Sequence, residues 1–368
     1  MTSFTARLRV WLVLALVAGL TAMAAAGCGT AAEDDSDAAD AGSTTTTAAA
    51  PLPAKFSGKP LQIALVRQFG SGDALQQWLA GAREQAGLLN MELQVSDASG
   101  KNDLQATQLQ QAIDRGVDGI IIDHGVASAL DSGIREAIRK GSPVAAVASD
   151  TRIPEVLMVR QDEAEVVKRI GDLLVRDLGG EGPVGYVYVA GFPVTDERDR
   201  GWRAVKQANP GIEQVAQFGK VSDTTAEDTA QQAEAVLAAH PDLKAILAPY
   251  DEYAKGVVLA LNRAKRDDVS VYGVDISTPD IAVMTAPGSP WKVTIASDLK
   301  NTGRVVVRAL ALEIAGAPTG RDVEIPPSII ITQDFLRENQ IATVQQLREK
   351  MPELNTKDVA TADWMPQP

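Results

Sequence analysis

Short apolar runs alternate with amphipathic stretches along most of the chain. Runs such as 61–66 and 119–122 contain few polar residues, which is typical of strands buried on both faces of a sheet. The stretches between them, for example 103–115 and 225–239, repeat their apolar residues at the spacing of a helix. Strands and helices that alternate in this way predict an α/β fold with parallel sheets covered by helices on both faces.

The number of predicted strands favours two doubly wound, Rossmann-like lobes over a single sheet. About ten strands are predicted, and open sheets of that size tend to split. Connections near 159–162, 297–299 and 323–326 are expected to join the lobes as a three-segment hinge. The predicted boundaries place 58–161 with 298–323 in the first lobe, 162–297 with 324–333 in the second, and 334–368 in a C-terminal extension of short helices.

The first 28 residues have the order of a secretory signal peptide, with two arginines, an apolar run and small residues. The ending Ala-Ala-Ala-Gly-Cys at 24–28 resembles the bacterial lipoprotein box, which implies cleavage after 1–27 and a lipid on Cys28. Ala25 stands where that box usually has leucine. An uncleaved membrane anchor, or a plain signal peptide with an incidental cysteine, are the alternatives.

Residues 28–57 are rich in Ala, Thr and Asp and have few large apolar side chains, so they are predicted to form a disordered tether. The whole chain of 368 residues, 45% apolar and 23% charged, fits two globular lobes with their own cores. Its net charge of −13 and scattered basic residues exclude a nucleic-acid partner. Cys28 is the only cysteine and there are two histidines, so neither a disulfide, a metal site nor a cofactor is expected.

Polar residues collect where the predicted strands end, in both halves of the chain. In doubly wound sheets, ligands bind beyond the carboxyl ends of the strands. Each residue alone is equally compatible with an ordinary polar turn, and His124 in particular is either loop filler or a ligand contact. The predicted ligand-binding residues are Gln68, Phe69, Asp123, His124, Ser149, Asp150, Arg198, Tyr250, Asp275 and Ser297.

Several segments in this order resemble the type I periplasmic binding proteins of the ribose and galactose class. The resemblance runs from about 61 to 331 and rests on 63–66, 79–86, 117–122, 197–202, 240–252 and 271–280. It implies that Arg198 is the ligand arginine and that Asp275 binds ligand hydroxyls. Charge-assisted hydrogen bonds of this kind suit hydroxyl-rich solutes.

The chain departs from that family at the positions that usually carry stacking rings. Residues 72–75 read Gly-Asp-Ala-Leu where the family has Asn-Pro-Phe-Phe, and Val274 replaces a phenylalanine. Tyr250 replaces an asparagine and Ser297 a glutamine. A polyol or cyclitol is therefore expected to compete with a sugar ring, unless Phe69, Phe192 or Tyr250 supplies a new aromatic face. Two further aromatic residues, Trp78 and Trp202, are expected in the core.

The resemblance implies a monomeric solute-binding lipoprotein, anchored to the outer face of the bacterial cell membrane, that delivers a small polar solute to an ABC permease. A receptor of the same fold that feeds a membrane kinase or chemoreceptor is the main alternative. A repressor of the same ligand-domain fold would need a DNA-binding helix-turn-helix where the signal segment lies. Enzyme motifs such as a glycine-rich phosphate loop, Gly-x-Ser-x-Gly or His-Glu-x-x-His are not found, so catalysis is not expected.

Overall fold

The computed structural model describes residues 50–317 and 320–368. The expected signal peptide, Cys28 and most of the expected tether lie outside these residues. Within the described ranges, no helix is both long and apolar enough to cross a bilayer. The same ranges contain no cluster of His, Cys, Asp or Glu side chains suited to a metal ion.

Strands and helices alternate through the described chain. The strands are β1 (Leu61–Arg67), β2 (Met91–Asp97), β3 (Gly119–Gly125), β4 (Val144–Ser149), β5 (Leu157–Arg160), β6 (Gly182–Val187), β7 (Ile212–Phe218), β8 (Ala245–Ala248), β9 (Ser270–Val274), β10 (Trp291–Ala296), β11 (Asp322–Glu324) and β12 (Ile329–Thr332). The helices are α1 (Asp73–Leu88), α2 (Asn102–Arg115), α3 (Ala127–Arg139), α4 (Glu163–Asp177), α5 (Pro193–Ala208), α6 (Thr225–Ala239), α7 (Asp251–Ala264), α8 (Thr278–Thr285), α9 (Leu299–Ala315), α10 (Gln333–Glu338) and α11 (Val344–Lys350).

Two six-stranded sheets divide the fold into two lobes, which confirms the predicted class. The first lobe has the strand order β11-β5-β4-β3-β1-β2, with every neighbour parallel. The second has the order β12-β10-β9-β8-β6-β7, parallel except where β12 pairs antiparallel with β10. Alternate residues of β1 face different helices: Ile63 and Leu65 pack with α1 and α9, and Ala64 and Val66 pack with α2 and α3. Burial on both faces explains why these strands are apolar without alternation.

The chain passes between the sheets at 161–162, 297–298 and 325–328, because α4 packs in the second lobe and α9 in the first. The strands β5, β11 and β12 and the helix α8 were not predicted from the sequence. β3 is also longer than expected, so that Asp123 and His124 lie within the strand and not after it.

Helices α1 and α9 approach each other closely through glycines. A Cβ atom on Gly81 would lie 1.8 Å from the carbonyl oxygen of Lys300, and one on Gly303 would lie 2.0 Å from the carbonyl oxygen of Trp78. Only a residue without a side chain permits this contact. The close packing fixes the N-terminus of α1 beside the cleft between the lobes.

The C-terminal segment after β12 contacts both lobes. Leu336 and Leu347 belong to the core of the second lobe, whereas Met365 belongs to that of the first. Trp364 stacks on Phe56 with ring centroids 5.5 Å apart. Phe56 is buried and lies in a short 3-10 helix, Ala54–Phe56. The expected end of the tether at 57 is therefore wrong. Residues 54–56 are ordered because Phe56 packs on Trp364, which is distant in sequence.

Candidate functional site

A cavity of about 460 Å³ lies between the lobes, at the carboxyl ends of both sheets. Side chains from both lobes and from the first connection line it. The predicted residues among them are Phe69, Asp123, His124, Ser149, Arg198, Tyr250 and Asp275.

Three predicted ligand-binding residues have other roles. Gln68 is buried and its Nε2 donates to Asn102 Oδ1 at 2.6 Å. Asp150 is exposed and accepts from the backbone N–H of Ala127 at 2.5 Å, where it caps α3. Ser297 Oγ donates to Gln161 Oε1 at 3.0 Å, beside the connections between the lobes. These three residues do not line this cavity, because a strand-end position sets a residue's level but not the direction of its side chain.

Arg198, on α5, forms the charged centre of the second-lobe wall. Its Nε donates to Glu163 Oε2 at 2.7 Å, and its Nη1 donates to the carbonyl of Pro249 at 2.7 Å and to Asp275 Oδ2 at 3.4 Å. The side chains of Arg198, Glu163 and Asp275 are 6%, 13% and 9% exposed. Asp275 follows β9 with a left-handed φ of 73°, a backbone conformation that directs the chain sharply at this point.

Burial and charge act against each other in this network. Burial lowers the pKa of Arg198, but the Glu163 and Asp275 carboxylates more than offset it, so this pKa is raised overall. Burial raises the pKa of Glu163, and Arg198 offsets that only in part. The guanidinium is therefore firmly charged and shared between two carboxylates.

A second buried pair forms the first-lobe wall. Asp123 Oδ2 accepts from Arg67 Nε at 2.5 Å, and Asp123 Oδ1 lies 2.8 Å from His124 Nδ1. Burial raises the pKa of Asp123, but Arg67 and His124 outweigh it and hold this pKa below its usual range. The Arg67 guanidinium also lies over the Trp78 ring, 5.5 Å from its centroid.

Aromatic rings line the cavity at positions other than those of the expected family rings. Ala74 and Val274 are buried and do not reach it. Phe69, Phe192 and Tyr250, the three candidate replacements, all line it. Tyr250 packs edge-on against Tyr253, which also lines the cavity, with centroids 5.2 Å apart. Trp202 is fully buried and Trp78 nearly so, as expected, and Trp78 lines the cavity as well.

The two lobes contact each other at the N-termini of α1 and α7. The backbone N–H of Asp73 donates to Glu252 Oε1 at 3.1 Å, and that of Ala74 donates to Asp251 Oδ2 at 3.2 Å. Lys255 Nζ donates to Asp73 Oδ2 at 2.6 Å. Tyr250 Oη donates to the carbonyl of Ser71 at 2.8 Å, so that a cavity residue also bridges the lobes. These contacts cap α1 with carboxylates from the opposite lobe, where a helix N-terminus favours negative charge.

Comparison with known families agrees with this geometry. The family model described as a periplasmic binding protein domain matches residues 63–318. The chain belongs to this family.

Three proteins illustrate what this periplasmic binding protein resembles. The 5-methylthioribose transporter solute-binding protein of Thermotoga lettingae, solved with 5-methylthioribose, is 35% identical, covers 85% of this chain and 98% of that chain, and superposes with a TM-score of 0.82. The xylitol-binding protein of Mycolicibacterium smegmatis is 26% identical over 74% of this chain and 79% of its own length. The ribose import binding protein of Escherichia coli (strain K12) is 27% identical over 54% and 67%.

Sequence reasoning missed several residues that line the site of this periplasmic binding protein. Glu163 and Gln161 lie in or beside the first connection between the lobes. Tyr253 lies on the first turn of α7, and Leu75 and Val147 contribute apolar surface. One signal was available for Glu163, since the first residue after a lobe connection has to lie near the cleft. No local pattern distinguishes Leu75 or Val147 from ordinary core residues.

Replacing Asp123 by asparagine should destabilise the protein by about 3–5 kcal/mol at pH 7, because Arg67 would remain buried without its carboxylate. The pKa of Asp123 is lowered in the folded state. Its ionised form therefore stabilises the fold at pH values above its unfolded pKa of about 3.9, and this contribution is lost as the pH falls through the lower folded value. The difference between wild type and Asp123→Asn should shrink between pH 7 and pH 3, which denaturant titrations at both pH values measure.

Asp114→Asn is the matched control for this measurement. The Asp114 side chain is 63% exposed and lies 3.9 Å from Lys140, so its removal should leave stability unchanged. Equal effects of the two substitutions at pH 7 would contradict the importance of the buried pair.

Proposed function

We propose that this chain captures a carbohydrate or polyol between its lobes by hinge closure and delivers it to an ABC importer. The observation that carries the proposal is the interlobe cavity, which combines buried charged groups with aromatic faces. A carboxylate accepts hydrogen bonds from hydroxyls, a guanidinium donates to them, and rings pack on C–H groups. The positions of Arg198 and Asp275 favour them as the main polar anchors.

The relatives support a hydroxyl-rich solute. Their names refer to 5-methylthioribose, xylitol and ribose, which share vicinal hydroxyls and differ in whether the carbon skeleton is cyclic. The lobe contacts at α1 support capture by closure, because they need the lobes to be close together. For the moving units we propose 58–161 with 298–323 and 162–297 with 324–333, except that Glu324 stays with the first lobe, where it pairs with Arg160 of β5. In this proposal the protein is a monomer and not an enzyme.

A thermal-shift screen with aldoses, polyols, inositols and amino acids tests this function. A solute that binds only the folded protein, present at a hundred times its Kd, adds about 2.7 kcal/mol to the free energy of unfolding, which raises Tm by roughly 4 °C for a chain of this size. The family ring positions are Ala74 and Val274 here, whereas Phe69, Phe192 and Tyr250 line the cavity. Unless these three rings clamp a flat sugar ring in place of the family's, at least one polyol or inositol should bind no more than tenfold weaker than the best aldose. Tight aldose binding without any polyol or inositol binding at millimolar concentration would contradict this specificity. A response to amino acids alone would contradict the proposed solute class.

Arg198→Ala and Asp275→Ala should each weaken binding of the best solute ten- to a hundredfold, or about 1.5–3 kcal/mol, because each removes a charge-assisted contact. Calorimetry measures this, with folding checked by circular dichroism. Asp268→Ala is the control, since Asp268 is an exposed second-lobe carboxylate that pairs with Arg266. Unchanged affinity in both cavity variants would place the polar anchors elsewhere.

We also propose that Cys28 is the mature N-terminus and carries a lipid that anchors the protein at the outer face of the cell membrane. The order of charged, apolar and small residues before it supports this. Cys28→Ala should therefore lack the lipid and keep the unprocessed mass, with the apolar run before position 28 still attached, as mass spectrometry of the fractionated protein measures. A variant as membrane-bound and as fully processed as wild type would overturn the lipid assignment.

A further inference from the structure

We propose that Glu163 determines which solute charge the cavity accepts. Its carboxylate neutralises Arg198, so that the cavity rejects acidic sugar derivatives. The accepted class is then polyhydroxylated solutes that are neutral or carry a positive charge. This inference rests on the proposed function and makes its solute class narrower. It assigns to Glu163 a role in specificity, separate from the anchoring of hydroxyls at Asp275.

Two of the three guanidinium nitrogens of Arg198, Nε and Nη1, already donate to protein acceptors. Nε is taken by Glu163 Oε2 at 2.7 Å, and Nη1 is shared by Pro249 O at 2.7 Å and Asp275 Oδ2 at 3.4 Å. All three side chains are largely buried, so the two carboxylates act on Arg198 with little screening by water. A carboxylate or phosphate on the solute would have to approach this arginine against both of them.

The other basic groups that line the cavity, among the described residues, are also paired. Arg160 Nε donates to Asp322 Oδ1 at 2.5 Å, and His124 Nδ1 lies 2.8 Å from Asp123 Oδ1. Among the residues that line the cavity, acidic side chains outnumber basic ones. The lining carboxylates are Asp123, Asp162, Glu163, Glu197, Asp275 and Glu324. An anionic solute therefore meets net negative charge, whereas hydroxyl groups find acceptors.

A substitution at Glu163 should change this preference for neutral over acidic solutes. It is the first residue of α4, directly after the connection 161–162, and its carboxylate accepts from Arg198 Nε. Glutamine at this position keeps an oxygen that accepts from Nε but removes the charge. In Glu163→Gln, Asp275 would be the carboxylate left to neutralise the positive charge of Arg198, and the cavity lining would carry one negative charge fewer.

Two matched pairs of probes test the inference by calorimetry at pH 7: D-galactose with D-galacturonate, and D-sorbitol with D-gluconate. Wild type should bind the neutral member at least tenfold more tightly than its acid. In Glu163→Gln the ratio of acid to neutral affinity should rise at least tenfold, about 1.4 kcal/mol. A positioning role alone would weaken both members equally and leave this ratio unchanged.

Asp268→Asn is the matched control. It removes the same charge from the second lobe, but Asp268 is exposed, pairs with Arg266 and does not line the cavity. Its ratio of acid to neutral affinity should stay within about threefold of wild type, because the effect requires a charge beside Arg198. Glu163→Ala serves as a second charge-removing variant if Glu163→Gln melts at a much lower temperature.

The outcomes separate this inference from the proposed function. Wild type that binds an acid as tightly as its neutral partner overturns the role of Glu163, as does a Glu163→Gln variant without a gain for either acid. If wild type binds neither neutral probe, carbohydrate and polyol capture loses its support for these solutes. A gain of acid binding in Glu163→Gln would then still support control by Glu163.

Discussion

One buried guanidinium, that of Arg198, connects the parts of the molecule that form the cleft. It contacts Glu163 at the start of α4, Pro249 at the end of β8 and Asp275 at the end of β9. These residues are spread over positions 163–275 of the sequence. Because each contact is buried, the positions of α4, α5 and the two strand ends are mutually constrained. The geometry of the second-lobe wall depends on this single side chain.

The first lobe has a comparable arrangement in which an acidic group, and not a basic one, is shared between two partners. There the carboxylate of Asp123 is the shared group, between Arg67 and His124. The two walls thus face each other with their strongest charges already paired inside each lobe. Paired charges cost less to bury than isolated ones, so the cavity between them can exclude water without a large penalty. A solute in the cavity meets acceptor oxygens, aromatic faces and the guanidinium of Arg198.

Contacts between the lobes lie on more than one side of the cleft. On one side, the carboxylates at the start of α7 cap the N-terminus of α1. Beside the connections, Arg348 of α11 forms an ion pair with Asp298, the N-cap of α9. Beyond α11 the chain reaches the first lobe, where the buried Arg308 donates to the carbonyl of Thr356 at 2.7 Å. The C-terminal segment therefore adds a further link between lobes that the three connections already join.

The sequence by itself determined the class of fold, because burial of parallel strands on both faces leaves continuous apolar runs that are visible without a structure. It also indicated the carboxyl-terminal parts of β3 and β9, where Asp123 and Asp275 lie, and the segment after β6 that carries Arg198, since polar residues interrupt the apolar pattern there. It did not distinguish these from Gln68, Asp150 and Ser297, which occupy equivalent positions but bond elsewhere. Side-chain direction, the pairing of Glu163 with Arg198 and the burial of Phe56 against Trp364 depend on residues distant in the chain. Only the tertiary structure decided them, because no local pattern records which distant side chain will satisfy a buried charge or cover an exposed ring.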